Sequence, residues 1–251
     1  TPSLAGFSAE LVVSRGDVVA EKGAMVAPRP GFVYPAEAKN TVKIGRKVVA
    51  EDFVITAPEG ANATRARVIG VVENQAPTKA LEMEIPVRDG RLAPEGAEGD
   101  VCLIAVVERH RGEGRVVTAL VSGFGYEGPC AVASTVAHDS HHLIVVGTSA
   151  EDMAAAANRL QDIGGGVAVW KDGAEAALVP LPVAGLMSDS PAEEVAAQAD
   201  AMADAMRACG CTLNNAFMQH SLLALVVIPA LRISDQGLVD VTAFQPVSVT
   251  V

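Results

Sequence analysis

The chain has 251 residues, of which 50% are hydrophobic and 20% charged, with a formal net charge of −11. That balance excludes a nucleic-acid backbone as the main partner, because phosphate contacts need clustered Lys and Arg, and it disfavours an anionic membrane surface. No apolar run approaches the roughly 18 residues that span a bilayer; the longest, Leu222 to Leu231, is short and contains Pro229.

In chain order, Thr1 to Glu10 lacks the basic region and apolar run of a secretion signal. Leu11 to Gly23 predicts a hairpin, with two Val-rich strands around Arg15-Gly16-Asp17. A lone hairpin is barely stable, so this one needs further strands. Ala27 to Pro35, punctuated by Pro28, Pro30 and Pro35, predicts an irregular strap or linker. Asn40 to Ile44 and Val48 to Ala50 give short strand signals, and a domain boundary is expected near Glu51. The division is therefore 1–50 and 51–251.

Beyond it, short strands are expected at Phe53 to Thr56, Ala66 to Glu73 and Leu81 to Val87, with a hairpin turn at Arg88-Asp89-Gly90-Arg91. Val101 to Val107 predicts a buried strand running into Glu108-Arg109-His110, and Gly112 to Gly114 returns the chain into Val116 to Val121. Ala131 to Ala137 and Leu143 to Val146 predict two further buried strands. A helix follows, with Thr148 and Glu151 at capping-box spacing, an apolar face of Met153, Ala156, Ala157, Leu160 and Ile163, and a stop at Gly164 to Gly166. Val167 to Trp170 and Ala176 to Val179 form another hairpin, and Leu181 to Asp189 a punctuated connection. The second helix has Ser190 as cap, Pro191 at its first position and Glu193 completing the box, with Val195, Ala199, Met202 and Met206 as its apolar stripe. Phe217 to Val227 fits helix or strand, and Val239 to Val251 alternates like a strand. The order predicts an α+β fold: a strand-rich domain with two main helices, preceded by a small hairpin segment.

The chemistry concentrates between the two buried strands, where His138, Asp139, Ser140, His141 and His142 stand together. Imidazoles and carboxylates in this number suit a zinc, iron or manganese site. They equally suit a hydrogen-bonded polar turn in which Asp139 orients a histidine and caps backbone amides. On extended backbone His138 and His142 share a face and His141 points away, whereas a turn at Asp139-Ser140 changes that geometry. Spacing does not choose between these. His110 ends another strand. Cys102, Cys130, Cys209 and Cys211 sit in apolar or small-residue surroundings, the pattern of a reduced, cytosolic protein. The glycine runs do not match a phosphate loop, and neither G-x-S-x-G nor the H-x-H pair of many metal-dependent hydrolases occurs.

Several segments in consistent order resemble the C-terminal portion of bacterial adenine deaminases, members of the metal-dependent amidohydrolase superfamily. The resemblance rests on Ser134 to His141, with the family's Ala-His-Asp-Ser-His run followed by an apolar strand and Gly147. Glu108-Arg109-His110, Gly123-Phe124-Gly125, Gly164 to Gly166, Leu181-Pro182, Ala184 to Asp189 and Gly237 to Asp240 add to it. His142 departs from the pattern, since the family usually carries Asn there. The resemblance implies a metal-bearing (β/α)₈ barrel preceding these residues, and makes 1–50 the remnant of a small β-sandwich that follows such a barrel. It implies hydrolysis of adenine or a related purine to release ammonia, with manganese or iron in the barrel and no metal ligand in this chain. His138, Asp139 and His141 are then expected to be supporting or pocket-lining groups, and His110, Ser140 and His142 to meet the substrate. A homo-oligomer without nucleic-acid or membrane partners is expected. The alternative is a non-catalytic module for oligomer contacts or ligand binding, and a third reading makes His138, Asp139 and His141 an autonomous metal site.

Overall fold

The computed structural model describes residue 6, residues 8–28 and residues 31–251. Contacts divide the chain into two compact units, Thr1–Pro35 and Ala36–Val251. The signal-peptide reading of Thr1 to Glu10 falls largely outside the described residues, as do positions 29 and 30 of the proline-rich connection.

The first unit holds three antiparallel strands, β1 (Leu11–Ser14), β2 (Asp17–Glu21) and β3 (Ala24–Met25). Arg15 and Gly16 both have positive φ, 52° and 93°, as a two-residue turn matched to strand twist requires. The expected hairpin is present and gains a third strand. Its apolar side chains remain uncovered within the unit: Leu11, Val12, Val13, Val18 and Met25 are all exposed.

The second unit begins earlier than the boundary expected near Glu51. Val42, Ile44 and Val48 are buried together with Phe53 in the core of this unit, so residues 36–50 belong to it. The strands expected at Asn40 to Ile44 and Val48 to Ala50 do not form. After one turn of helix (α1, Ala36–Lys39) the chain runs without ladder partners, although Lys43 donates its amide to Arg109 O at 2.8 Å. Phe53 likewise ends a 3₁₀ turn, Ala50–Phe53, rather than starting a strand.

A nine-stranded sheet follows. Its strands are β4 (Ala63–Gly70), β5 (Lys79–Arg88), β6 (Arg91–Leu92), β7 (Cys102–Val107), β8 (Val116–Ser122), β9 (Cys130–Ser134), β10 (Leu143–Gly147), β11 (Gly166–Lys171) and β12 (Ala174–Pro180). The order is β12-β11-β9-β10-β7-β8-β4-β5-β6, antiparallel except between β4 and β8. The two buried runs foreseen from sequence are β9 and β10, paired as Ile144↔Ser134 to Gly147↔Ala131, and they sit mid-sheet.

Alternation along these strands feeds two cores. Ile104, Val106, Val132, Ile144 and Val146 face one side, and Leu103, Ala105, Ala133, Leu143 and Val145 the other. The second side is covered by α2 (Ala150–Ile163), which buries Met153, Ala156, Ala157 and Leu160. The first is covered by α3 (Ala192–Ala208) through Met202 and Met206, by the chain after α4 (Ala216–Leu222), and by β13 (Leu231–Ser234) and β14 (Gly237–Asp240). A last strand, β15 (Gln245–Val247), pairs with β14. The fold is α+β, with helices on both faces of a largely antiparallel sheet.

Helix starts differ in detail from the sequence reading. Ser149, not Thr148, caps α2 by accepting from Asp152 N at 3.2 Å. Thr148 instead bonds the start of β9, accepting from Cys130 N at 3.0 Å. Ser190 does not cap α3, which begins after Pro191 without a side-chain cap. The ambiguous stretch Phe217 to Val227 is helical only as far as Leu222.

Candidate active site

Register brings the sequence motifs to one end of the sheet. Leu143 pairs with Val107, which in turn pairs with Val116, so His142, Glu108 and Arg115 become neighbours. Ser134 pairs with Val167, and Gly166 with Pro180, so the glycine run and the 181–189 connection arrive at the same end. Residues from 108 to 185 meet there because antiparallel strands alternate in direction.

The five polar residues do not act as one cluster. The turn separates them into two arms. On the first, His138 and His141 have ring centroids 5.7 Å apart. His138 Nδ1 lies 3.1 Å from Ser221 Oγ, and its amide donates to Ser221 O at 3.0 Å. The His141 amide closes the turn on Ala137 O at 2.6 Å, and Ala137 N donates back to His141 Nδ1 at 3.3 Å. An Nδ1 that accepts leaves the proton of neutral imidazole on Nε2. Burial, then the neighbouring His138 and Arg109, push the His141 pKa down and keep it neutral.

On the second arm, His142 packs against His110 with centroids 4.7 Å apart. His142 is only 8% exposed and lies between two carboxylates: Nδ1 is 4.0 Å from Glu108 Oε1 and Nε2 is 3.6 Å from Asp235 Oδ1. Burial lowers its pKa despite Asp235, so it is neutral near pH 7. Glu108, 2% exposed, accepts from the amides of His110, Arg111 and Glu113 at 2.6, 2.9 and 3.2 Å. Burial alone would raise its pKa, but those amides outweigh burial and hold it ionised. His110 donates from Nε2 to Ser140 O at 2.8 Å. Glu108, His110, Arg115, His142, Asp235 and Gln236 line a cavity of about 240 Å³.

Each expected residue thus has a place. His138 and His141 form the outer arm, His110 and His142 the pocket arm. Asp139 and Ser140 are exposed at the tip between them, and Ser140 contributes its carbonyl to His110. The orienting role expected of Asp139 is filled elsewhere: Glu108 gathers the amides and Asp235 stands beside His142. Sequence reasoning missed Ser221, Asp235 and His220. His220 is wholly buried, with Nε2 3.2 Å from Val132 O, and burial pushes its pKa down to about 4. The polar triplet Gln219-His220-Ser221 inside an apolar run was the available signal.

Among the described residues no group of three His, Cys, Asp or Glu side chains could hold an ion. All four cysteines are buried and unpaired. Among the described residues no helix is long and apolar enough to cross a membrane.

The model of the family described as the adenine deaminase C-terminal domain matches residues 75–245, a span that holds both arms. This chain belongs to that family. The chain is 62% identical over 245 residues to the adenine deaminase of Ruegeria pomeroyi, covering 98% of the chain and 41% of the relative. To the adenine deaminase of another Ruegeria strain it is 63% identical over 249 residues, covering 99% and 41%. To that of Rubrobacter xylanophilus it is 49% identical over 241 residues, covering 95% and 39%. The chain therefore spans about two fifths of the length of these curated relatives.

Proposed function

We propose that this chain is the C-terminal part of an adenine deaminase, a hydrolase that converts adenine and water to hypoxanthine and ammonia. The observation that carries this reading is identity above 60% along almost the whole chain to proteins named adenine deaminase. The greater part of those relatives lies outside the matched region, and there we place the amidohydrolase barrel and its divalent metal, manganese or iron. When bound, that metal supplies an activated water for attack on the purine. The domain contributes hydrogen-bonding groups to the barrel mouth. His138, Asp139 and His141 support or line that mouth, and His110, Ser140 and His142 meet adenine or a related purine. A neutral imidazole, His142, beside an ionised carboxylate, Glu108, supports this role, because a purine edge offers both donors and acceptors.

The uncovered apolar side chains of β1–β3 support reading the first unit as part of a β-sandwich completed by strands elsewhere in the polypeptide. Four unpaired thiols support a cytoplasmic setting, and assembly as a homo-oligomer belongs to the same proposal. Ammonia release from adenine tests it, with manganese or iron supplied to the full-length enzyme and to the 251-residue chain alone. The full-length enzyme should turn over and the chain alone should not. An inactive metal-loaded full-length enzyme would refute the activity, and turnover by the chain alone would refute the division of labour.

A further inference from the structure

We propose that Arg109 is the positioning residue of the histidine turn, fastening three crossing segments by their carbonyls and so setting where the His141 imidazole points. Arg109 is 1% exposed, and among the described residues no carboxylate stands within ion-pair distance of it. Its donors go to backbone instead: Nε to His141 O at 2.5 Å, one terminal nitrogen to Ala184 O at 3.2 Å and the other to Thr41 O at 3.5 Å. A buried cation with carbonyl partners alone is costly to keep, and a planar fork is the side chain that can bind several carbonyls in fixed directions.

The seat beneath it is built for that fork. A Cβ on Gly185 would lie 2.9 Å from Arg109 Nη1, and one on Gly165 would lie 2.5 Å from Gly185 Cα. The two glycines therefore stack flat under the guanidinium. Thr135 Oγ1 pins the stack, donating to Gly185 O at 2.6 Å and accepting from Gly166 N at 2.8 Å. Arg109, Gly165 and Gly185 lie in three of the separate motifs singled out in the sequence, and this contact is where those motifs meet. Arg232 is equally buried and also donates to carbonyls, at Ile228 and Leu222, but it bonds neither histidine arm. Arg109 bonds the arm directly, at a residue whose φ of 49° the side chain of His141 would not choose alone.

Arg109 also acts on His141 by charge. The groups bearing on that imidazole are His138, Arg109, Asp139 and His110, and Arg109 is among those lowering its pKa. The inference about catalysis rests on the reading that this turn faces the reacting base. The experiment separates the two. Imidazole NMR titration and amide exchange are followed in the 251-residue chain for the wild type, Arg109→Lys, Arg109→Gln and Gly185→Ala. Arg109→Gln should raise the His141 pKa toward the ordinary value and expose the Ala137 amide, which donates to His141 Nδ1. Arg109→Lys keeps the charge but should still speed Ala137 exchange, because a compact ammonium does not reproduce the fixed, spread donor directions with which the guanidinium spans the three carbonyls. Gly185→Ala, which retains Arg109 and displaces it, serves if loss of the guanidinium prevents folding, and should shift the same two signals. In the full-length enzyme each variant should lower kcat about 100-fold with KM changed far less, the usual consequence of misplacing a group by about 1 Å. Unchanged His141 titration and Ala137 exchange overturn the positioning role, whatever the rate. Shifted signals with unchanged kcat uphold positioning and overturn the reading that the turn serves the reaction.

Discussion

The two arms of the histidine cluster part from one run of five consecutive residues yet occupy different physical settings. His138 and His141 are half-buried, and their described hydrogen-bond partners are a hydroxyl, backbone groups and the Arg109 guanidinium. His142, one residue further, is buried between Glu108 and Asp235, with His110 against its ring. One arm is held by hydrogen bonds, and Asp139 acts on His141 through its charge alone. The other is steeped in charge and has room for a small ligand. Proximity in sequence therefore says little about shared chemistry when a turn intervenes.

The comparison is broken most severely by changing the outer arm. In the full-length enzyme, His138→Ala should lower deamination by about 10²–10⁴-fold, the range for a positioned proton-transfer or orienting group, while bound metal stays near the wild-type level. Metal lost together with activity would show that His138 is a ligand. Unchanged activity would make the outer arm purely structural.

A smaller effect separates both arms from His220, the histidine with no access to solvent. Its folded pKa of about 4 lies below the ordinary 6.5, so the unfolded chain binds the proton more tightly and acid favours unfolding. Stability from this residue is fully present above about pH 6.5 and is lost as pH falls toward 4, by of order 3 kcal/mol. Urea unfolding at pH 7 and pH 4.5 measures it. His220→Gln, which keeps a donor for Val132 O without titrating, should reduce the drop; an equal drop in both proteins would show that other groups dominate.

The smallest effect belongs to the pocket arm. Asp235 raises the pKa of His142, so Asp235→Asn should lower it further, a shift read by NMR. Because His142 is already neutral near pH 7, stability there should change by less than about 1 kcal/mol. A larger loss would mean that the pair is ionised and holds the 234–237 turn against the sheet.

How much was legible beforehand follows from which forces act locally. β9 and β10 could be read because unbroken runs of small and β-branched residues have few other uses than a strand buried on both faces. The α2 stop at Gly164 could be read because its φ of 82° suits Gly. Residues 40–50 misled: Val42, Ile44 and Val48 show strand-like apolar spacing, but they are anchored by burial against the sheet and by the hydrogen bond from Lys43 to Arg109. Apolar spacing reports burial and not which hydrogen bonds the backbone makes. Thr148 and Ser149 could not be ranked as caps, since the choice depended on Thr148 finding β9.

Hydrophobic alternation, turn chemistry and a specific run of residues are local properties, and they sufficed to read the α+β class, the central strand pair, the polar turn between its strands and the family. Which polar residues act together depends on the packed fold. Antiparallel register carried Glu108 to the turn, while helix α4 brought Ser221, the β13–β14 turn brought Asp235 and the 181–189 connection brought the Ala184 carbonyl, each from far along the chain. The same convergence also gave Arg109 three carbonyls to hold. Pairing across a sheet depends on the sum of contacts along every strand, and no single segment contains that sum.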